Sequence, residues 1–277
     1  VALTIAHPTI VPGFHRLFRS GVVDLPALLV GSLAPDIGEW TNRAALADRA
    51  HSWSGIVTTV LPIGLVMLFF YHLLRRPIFF ALPNPHRQFV GESLALNRLA
   101  LNPGGVASMV AGILLGSFCH LLWDAFTQVD GHFVQSISAL RAALPLPHWC
   151  PVRGNIPLFV VLNLLTSALG FAVILYIYWG WCHTRRTHLP HPYAAREYDL
   201  WRWYFWAVAI LVSAANGLPG ALPLLSREPD LYRLSLFSNH WGTSFAVAFI
   251  TFVSAGSVVI YLVWGYRSQK TQSEGEQ

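Results

Sequence analysis

Five apolar runs, at 56–74, 106–126, 158–181, 203–225 and 241–266, approach or exceed the roughly 20 residues a helix needs to cross a bilayer. Inside lipid every backbone polar group must find its partner within the protein, so a chain with runs of this length folds as spanning helices. A sixth run, at 21–34, is shorter and contains Asp24 and Pro26, which marks it as re-entrant, spanning or buried in protein. The expected fold is all-α: a polytopic integral membrane helical bundle of five long spans plus a short N-terminal re-entrant or spanning helix. Only 11% of the 277 residues are charged, against about 25% in soluble domains, and this excludes a soluble globular protein.

Trp and Tyr gather near the ends of the runs, at Tyr71, Trp123, Trp179, Trp181, Trp201, Trp203, Trp241 and Tyr266 among others, as an interfacial aromatic belt requires. Positive charge alternates along the loops. Arg75, Arg76, Arg87 and Arg98 follow the first run, only Arg141 and Arg153 follow the second, and Arg185, Arg186, Arg196 and Arg202 follow the third. By the positive-inside rule the first and third of these loops and the C-terminus are cytoplasmic. The net charge of +5 is spread through these loops, so topology explains it and no nucleic-acid partner is expected. Cys119, Cys150 and Cys182 share no metal-type spacing. Residues 1–267 read as a single helical membrane domain, with 1–53 an N-terminal helical cap and 54–267 the spanning bundle. Residues 268–277 read as a disordered cytoplasmic tail, and no cleavable signal peptide is expected ahead of the first run.

Within this apolar chain, Gly116-Ser-Phe-Cys-His120-Leu-Leu-Trp-Asp124 places an imidazole and a carboxylate four residues apart near one end of a helix. Positions i and i+4 share a helix face, so His120 and Asp124 can point at one atom, and ionisable groups at membrane depth are costly enough to mark a functional site. Both are good ligands for zinc and similar divalent ions. The plain alternative is a buried His–Asp hydrogen bond that locks two helices. Gly112 and Gly116 precede His120 at four-residue intervals and offer a small face for close helix packing.

The topology puts the start of the first span and the end of the second on one extracytoplasmic face, where further ligand-type residues collect: His7, Asp36, His51 and His132. Each also has a structural explanation taken alone. His7 could be an interfacial histidine, Asp36 after Pro35 a helix cap, and His51-Ser52 the cap of the helix that begins near Ser54. If the chain from Asp48 is helical, Asp48 lies one turn before His51 and could orient its ring by accepting the distal imidazole proton.

Two resemblances enter at these residues. The phrases Thr4-Ile-Ala-His7-Pro, Gly31-Ser-Leu-Ala-Pro-Asp36, His51-Ser52 and His120-Leu-Leu-Trp-Asp124-Ala-Phe-Thr127 resemble an uncharacterised bacterial family of multi-spanning membrane proteins, the domain of unknown function 4184. The order His7, Asp36, His51, His120-x-x-x-Asp124 and His132 is similar to the ligand series of zinc-dependent phospholipase C and of membrane-bound metal-dependent hydrolases. That similarity implies that His7, Asp36, His51, His120 and Asp124, with His132 a weaker sixth, bind one or more divalent ions, zinc foremost. The later His-x-x-x-Glu pair of the phospholipase is missing, which argues against a full three-metal site.

The chemistry that fits is metal-assisted hydrolysis of a lipid or lipid-linked phosphoester at the extracytoplasmic face of a bacterial inner membrane. One carboxylate outside the metal shell would act as general base, with Asp36, Glu39 and Asp48 the choices. Arg16, Arg49 and His240 are candidates for the substrate head group, since guanidinium binds phosphate bidentately. No G-x-S-x-G, H-E-x-x-H, P-loop or G-x-G-x-x-G motif competes. The alternative is a non-catalytic membrane protein, either a transporter with a His/Asp proton relay or a scaffold with a structural metal. A relay needs ionisable residues reaching both faces, whereas here they gather at one.

Overall fold

The computed structural model describes residues 9, 14, 16–17, 20–84, 86–87, 100–145, 155–186, 200–225 and 231–265. Their regular structure is helical apart from one short ribbon, so the chain is all-α. The helices are α1 (Leu25–Leu33), α2 (Ile37–Trp40), α3 (Ala44–Ala50), α4 (Leu61–Ala81), α5 (Pro103–Thr127), α6 (His132–Ser136), α7 (Leu158–Arg186), α8 (Leu200–Ala221) and α9 (Leu231–Ile260). Among the described residues, five segments are long and apolar enough to cross a membrane: Ile56–Ala81, Pro103–Ser136, Leu158–Thr184, Leu200–Leu224 and Leu236–Val263. Each overlaps one of the five runs marked in the sequence. The tail 268–277 lies outside the described residues.

By contacts the chain divides into two compact units, one of residues 1–69, 100–177 and 221–240, the other of 70–99, 178–220 and 241–277. Residues 20–50 therefore pack with later helices in the first unit.

In that unit α1 takes the place of the sixth apolar run. Its nine residues span only about 13 Å at the helical rise, less than half the thickness of a bilayer core. Asp24 caps it, its Oδ1 accepting the Ala27 N–H at 2.8 Å, and Pro26 sits in the first turn where a missing N–H costs nothing. Both apolar and small residues of α1 are buried, Ala27, Leu28, Gly31 and Ser32 among them, because α1 lies directly on α5.

Small residues permit that approach. A Cβ at Gly116 would meet the backbone of Leu28, Gly31 and Ser32, and one at Gly31 would meet the backbone of Ile113. Ser117 ties the pair further, its hydroxyl reaching the Ile113 carbonyl at 2.7 Å and the Gly31 carbonyl at 3.1 Å.

After α1 the chain makes a 3₁₀ turn at Ala34–Asp36, then α2 and α3, and reverses through His51–Ser54. Ser52 is the hinge of this reversal: its hydroxyl donates to the Arg49 carbonyl at 2.7 Å and accepts the Gly55 N–H at 3.0 Å. It thus closes the turn that leads into the helical segment, which opens with a π turn at Ile56–Val60 and continues as α4. Beyond α6 a ribbon of β1 (Ala143–Pro145) and β2 (Asn155–Pro157) pairs antiparallel, Leu144 opposite Ile156.

In the other unit Arg202 and Trp206 of α8 serve the end of α4. The Arg202 Nε–H reaches the Phe80 carbonyl and the Trp206 indole N–H the Ala81 carbonyl, each at 2.9 Å. Both carbonyls belong to the last turn of α4, where no intrahelical N–H remains to bind them.

Candidate metal centre

Four side chains from three stretches of the first unit converge: Asp36 at the end of the 3₁₀ turn, His51 just past α3, and His120 and Asp124 on α5. One ligand atom from each lies within 4.8 Å of all the others. His120 and Asp124 share the face of α5 that the i, i+4 spacing requires, with Nε2 and Oδ2 3.1 Å apart. The His120 Nε2 also lies 3.4 Å from Asp36 Oδ1. His51 Nε2 stands 3.4 Å from Asp36 Oδ1 and 3.5 Å from Asp124 Oδ2. The two rings are 5.5 Å apart and tilted by 59°.

Backbone carbonyls fix both rings. His120 Nδ1–H donates to the Ser32 carbonyl at 2.8 Å, and His51 Nδ1–H to the Ala47 carbonyl at 2.9 Å. A carbonyl can only accept, so Nδ1 carries the proton in each ring, and in the neutral imidazole Nε2 turns a lone pair toward the carboxylates. The Ser32 carbonyl is available because α1 ends at Leu33, leaving its last carbonyls short of intrahelical partners. The same use of an orphan carbonyl orients metal-binding histidines generally.

Two lone pairs and two carboxylates facing one another require a positive charge among them. A proton on each Nε2 would give charge-assisted hydrogen bonds of about 2.7–2.9 Å. The four His–Asp separations are longer, at 3.1, 3.4, 3.4 and 3.5 Å. Ligand atoms bound at about 2.0–2.1 Å lie about 3.3 Å apart along the edges of a tetrahedron, and the four separations bracket that value. The chemistry of the set, two imidazoles and two carboxylates, suits zinc and similar divalent ions. Together these residues could hold such an ion.

Burial is uneven across the group. The side chains of His120 and Asp36 are 0% and 1% exposed, whereas His51 is 23% exposed. Burial disfavours a charged His51, but the facing carboxylates of Asp124 and Asp36 and the Ala47 carbonyl outweigh it and push its pKa up to about 11.

A cavity of about 600 Å³ opens against this exposed side, reached by His51 and Asp124 and walled by Glu39, Asp48, Trp53 and Asp130 among others. Glu39 follows Asp36 by three residues on α2. Burial, and next to it the charge of Asp36, hold its carboxyl above the usual carboxylate range.

Of the metal ligands read from the sequence, Asp36, His51, His120 and Asp124 meet here, and His7 lies outside the described residues. His132 does not join the group. The chain leaves α5 at Thr127 and turns through 128–131, which carries His132 onto the cavity wall, exposed and edge-on to Phe133. Of the three carboxylates considered as bases, Asp36 sits in the group, while Glu39 and Asp48 line the cavity. Asp48 does not orient His51, because His51 follows the last turn of α3 and its Nδ1 reaches back to the carbonyl four residues earlier. Asp36 does not cap α2; its carboxylate turns into the cluster. Arg16, Arg49 and His240 are exposed and lie outside the described cavity wall.

Sequence reasoning missed the Ser32 and Ala47 carbonyls, Ser117, and the cavity residues Trp53 and Asp130. Ser117 had a signal, one turn before His120 on the same face. No curated protein and no solved structure matches the chain. The family model described as Domain of unknown function (DUF4184) matches residues 2–265, nearly the whole length, and the chain belongs to that family.

Proposed function

We propose that this protein is a membrane-embedded, metal-dependent hydrolase of a lipid or lipid-linked phosphoester, working at the extracytoplasmic membrane boundary. The observation that carries the reading is the convergence of four ligand atoms within 4.8 Å of one another, beside a cavity that reaches two of the ligands. A divalent ion held there would lower the pKa of a bound water toward 7 and polarise the attacked phosphoryl oxygen. Glu39 is the base of choice: it lines the cavity, stands one turn from Asp36, and burial with the charge of Asp36 holds its carboxyl above the usual range, which makes it a stronger base. In the reaction Glu39 removes the proton from water as its oxygen bonds to phosphorus. The ester P–O bond breaks, and the proton passes from Glu39 to the departing alcohol.

Four protein ligands are also the complement of a structural zinc site, which is the second reading. The cavity at His51 and Asp124 favours the catalytic one, since a structural site has no use for an approach to its ion. Elemental analysis of detergent-purified protein beside His120→Ala/Asp124→Ala tests the centre: stoichiometric zinc, manganese or iron should be present and be lost in the variant. The hydrolase reading is abandoned if metal-loaded protein leaves a broad panel of phospholipids and polyprenyl phosphates intact while His120→Ala has no cellular effect.

A further inference from the structure

Each side of the centre supplies one histidine and one aspartate. His120 and Asp124 stand on α5, whereas Asp36 and His51 are the two roots of a helical hairpin, Asp36 directly before α2 and His51 directly after α3. The hairpin is stiff within itself. A Cβ at Gly38 would fall 2.6 Å from the Ala47 Cα, so the backbones of α2 and α3 touch, and the Arg43 N–H closes the turn between them on the Gly38 carbonyl at 2.8 Å.

Its attachments gather at the roots. Ala34 and Ala50 are fully buried with Val60, at the start of the first membrane-crossing segment, and Ile63 and Met67 back this cluster. Just past the second root, Trp53 packs on Phe118 of α5 with ring centroids 5.9 Å apart. Between the roots, residues 41–45, 48 and 49 are exposed. Among the described residues the hydrogen bonds of α2 and α3 stay within 34–52, and none reaches α5 or α6. The cavity lies on the free side of this hairpin. Glu39, Ala47, Asp48 and His51 form one wall, and Asp124, Gln128, His132 and Gln135 belong to the wall that faces it. The ion pairs that cross from one side to the other are those of the centre itself, His51 to Asp124 at 3.5 Å and Asp36 to His120 at 3.4 Å.

We propose that the α2–α3 hairpin is a lid latched by the metal ion: ligands at both roots hold it over the cavity while the ion is bound, and it swings outward about the Ala34–Ala50–Val60 cluster when the ion leaves. The lid rests on the proposed ion and not on turnover. Imidazole protons can bridge the same gap in metal-free protein, but each joins one donor to one acceptor, whereas the ion joins all four ligands. Glu39 rides on the lid, so the ion that activates water also brings the proposed base up to it, and metal-free protein has neither in place.

The test measures the gap by double electron–electron resonance in full-length protein in detergent, zinc-loaded beside chelator-treated, with zinc content determined on the same samples. Spin labels go on Ala44→Cys and Ser136→Cys, exposed positions of the lid and of α6, in a chain carrying Cys119→Ala, Cys150→Ser and Cys182→Ser. Val22→Cys with Ser136→Cys is the control pair, because α1 is held to α5 by packing. Zinc removal should broaden the lid distance and lengthen it by more than about 2 Å, the scale of a loop rearrangement, and leave the control pair alone. His51→Ala supplied with free imidazole should regain zinc yet keep the broad lid distance, since that imidazole is not joined to the hairpin.

The unmodified chain gives a second reading. Trypsin should cut at Arg43 and Arg49 more slowly with zinc, about 100-fold at a free concentration about 100 times Kd if opening requires the ion to leave, while cleavage at the exposed Arg141 stays constant. An unchanged lid distance and unchanged cleavage in protein that has lost its zinc would overturn the lid and leave the metal centre standing. Equal changes in both label pairs would overturn it too, since the ion would then be stabilising the whole unit, and a narrow distance in imidazole-supplied His51→Ala would remove His51 as the latch. Absence of zinc from the loaded protein would sink the centre and the lid together.

Discussion

Replacing Gly116 by alanine should damage stability and metal binding together. A Cβ there would fall 2.7 Å from the Ser32 amide nitrogen and 2.9 Å from the Gly31 carbonyl carbon, and closer still to the Leu28 carbonyl oxygen. All three are backbone atoms of α1, so no side-chain rotation relieves the clash, and α1 must move off α5. Overpacking of this kind costs about 1–3 kcal/mol. The same displacement draws the Ser32 carbonyl away from His120 Nδ1, a contact of 2.8 Å, and loss of such an orienting partner typically lowers metal affinity about 10–100-fold. Gly180→Ala is the matched control: nothing lies within 4 Å of a Cβ there, and the change to alanine in mid-helix should be neutral or stabilising by about 0.5–1 kcal/mol. Thermal unfolding in detergent and competition with a chromophoric zinc chelator read the two effects. If Gly116→Ala matches wild type in both, α1 does not hold His120 and the packing argument fails.

The proposed base has a kinetic test: Glu39→Gln should leave metal content unchanged and lower kcat by about 10²–10⁴, the usual contribution of a positioned base. Loss of the metal in that variant would instead make Glu39 a ligand. Stability should also depend on pH differently with and without the ion. His51 has a folded-state pKa of about 11, above the ordinary 6.5, so its ionic stabilisation of the metal-free protein is complete below pH 6.5 and is lost as pH rises toward 11. The melting temperature of chelator-treated protein should therefore fall between pH 7 and 10. Metal affinity should climb over the same range as the ion displaces that proton, and a flat profile in both would refute the assigned environment of His51.

The membrane character of the chain and the partnership of His120 with Asp124 were legible because each rests on a local period, about 20 apolar residues in one case and i, i+4 in the other. Asp36 and His51 could be suspected from topology and resemblance but from no local period, since what joins them to α5 is the three-dimensional path of α1 to α3. That path depends on features with weak sequence signals, such as the Ser52 turn and the fit of Gly116 against α1. The second half of the histidine chemistry is backbone. Carbonyls of Ser32 and Ala47 set the tautomers, and a carbonyl leaves no trace in residue identity. Asp48 shows the resulting error: a carboxylate at helical spacing from His51 looks like its orienting partner, yet the carbonyl one residue earlier is nearer and the acid is left to the cavity.

The two histidines are thus unequal, and the inequality can be read chemically. His120 is fully buried, sits two turns inside the end of a helix pinned by α1, and does not line the cavity. His51 follows a seven-residue helix, is partly exposed, and does line it. Truncation at position 51 therefore enlarges a space that small molecules already reach, whereas truncation at 120 leaves a void sealed beneath α1. Imidazole added to His51→Ala should enter from the cavity, occupy the ring's place and restore much of the metal affinity. His120→Ala should show no such recovery, and the missing ring there also strands the Ser32 carbonyl in a dry interior at a cost of about 1–3 kcal/mol. Rescue of both variants alike would mean that the ion is approached from the α1 side as well, and the assignment of the cavity as the approach to the ion would fall with it.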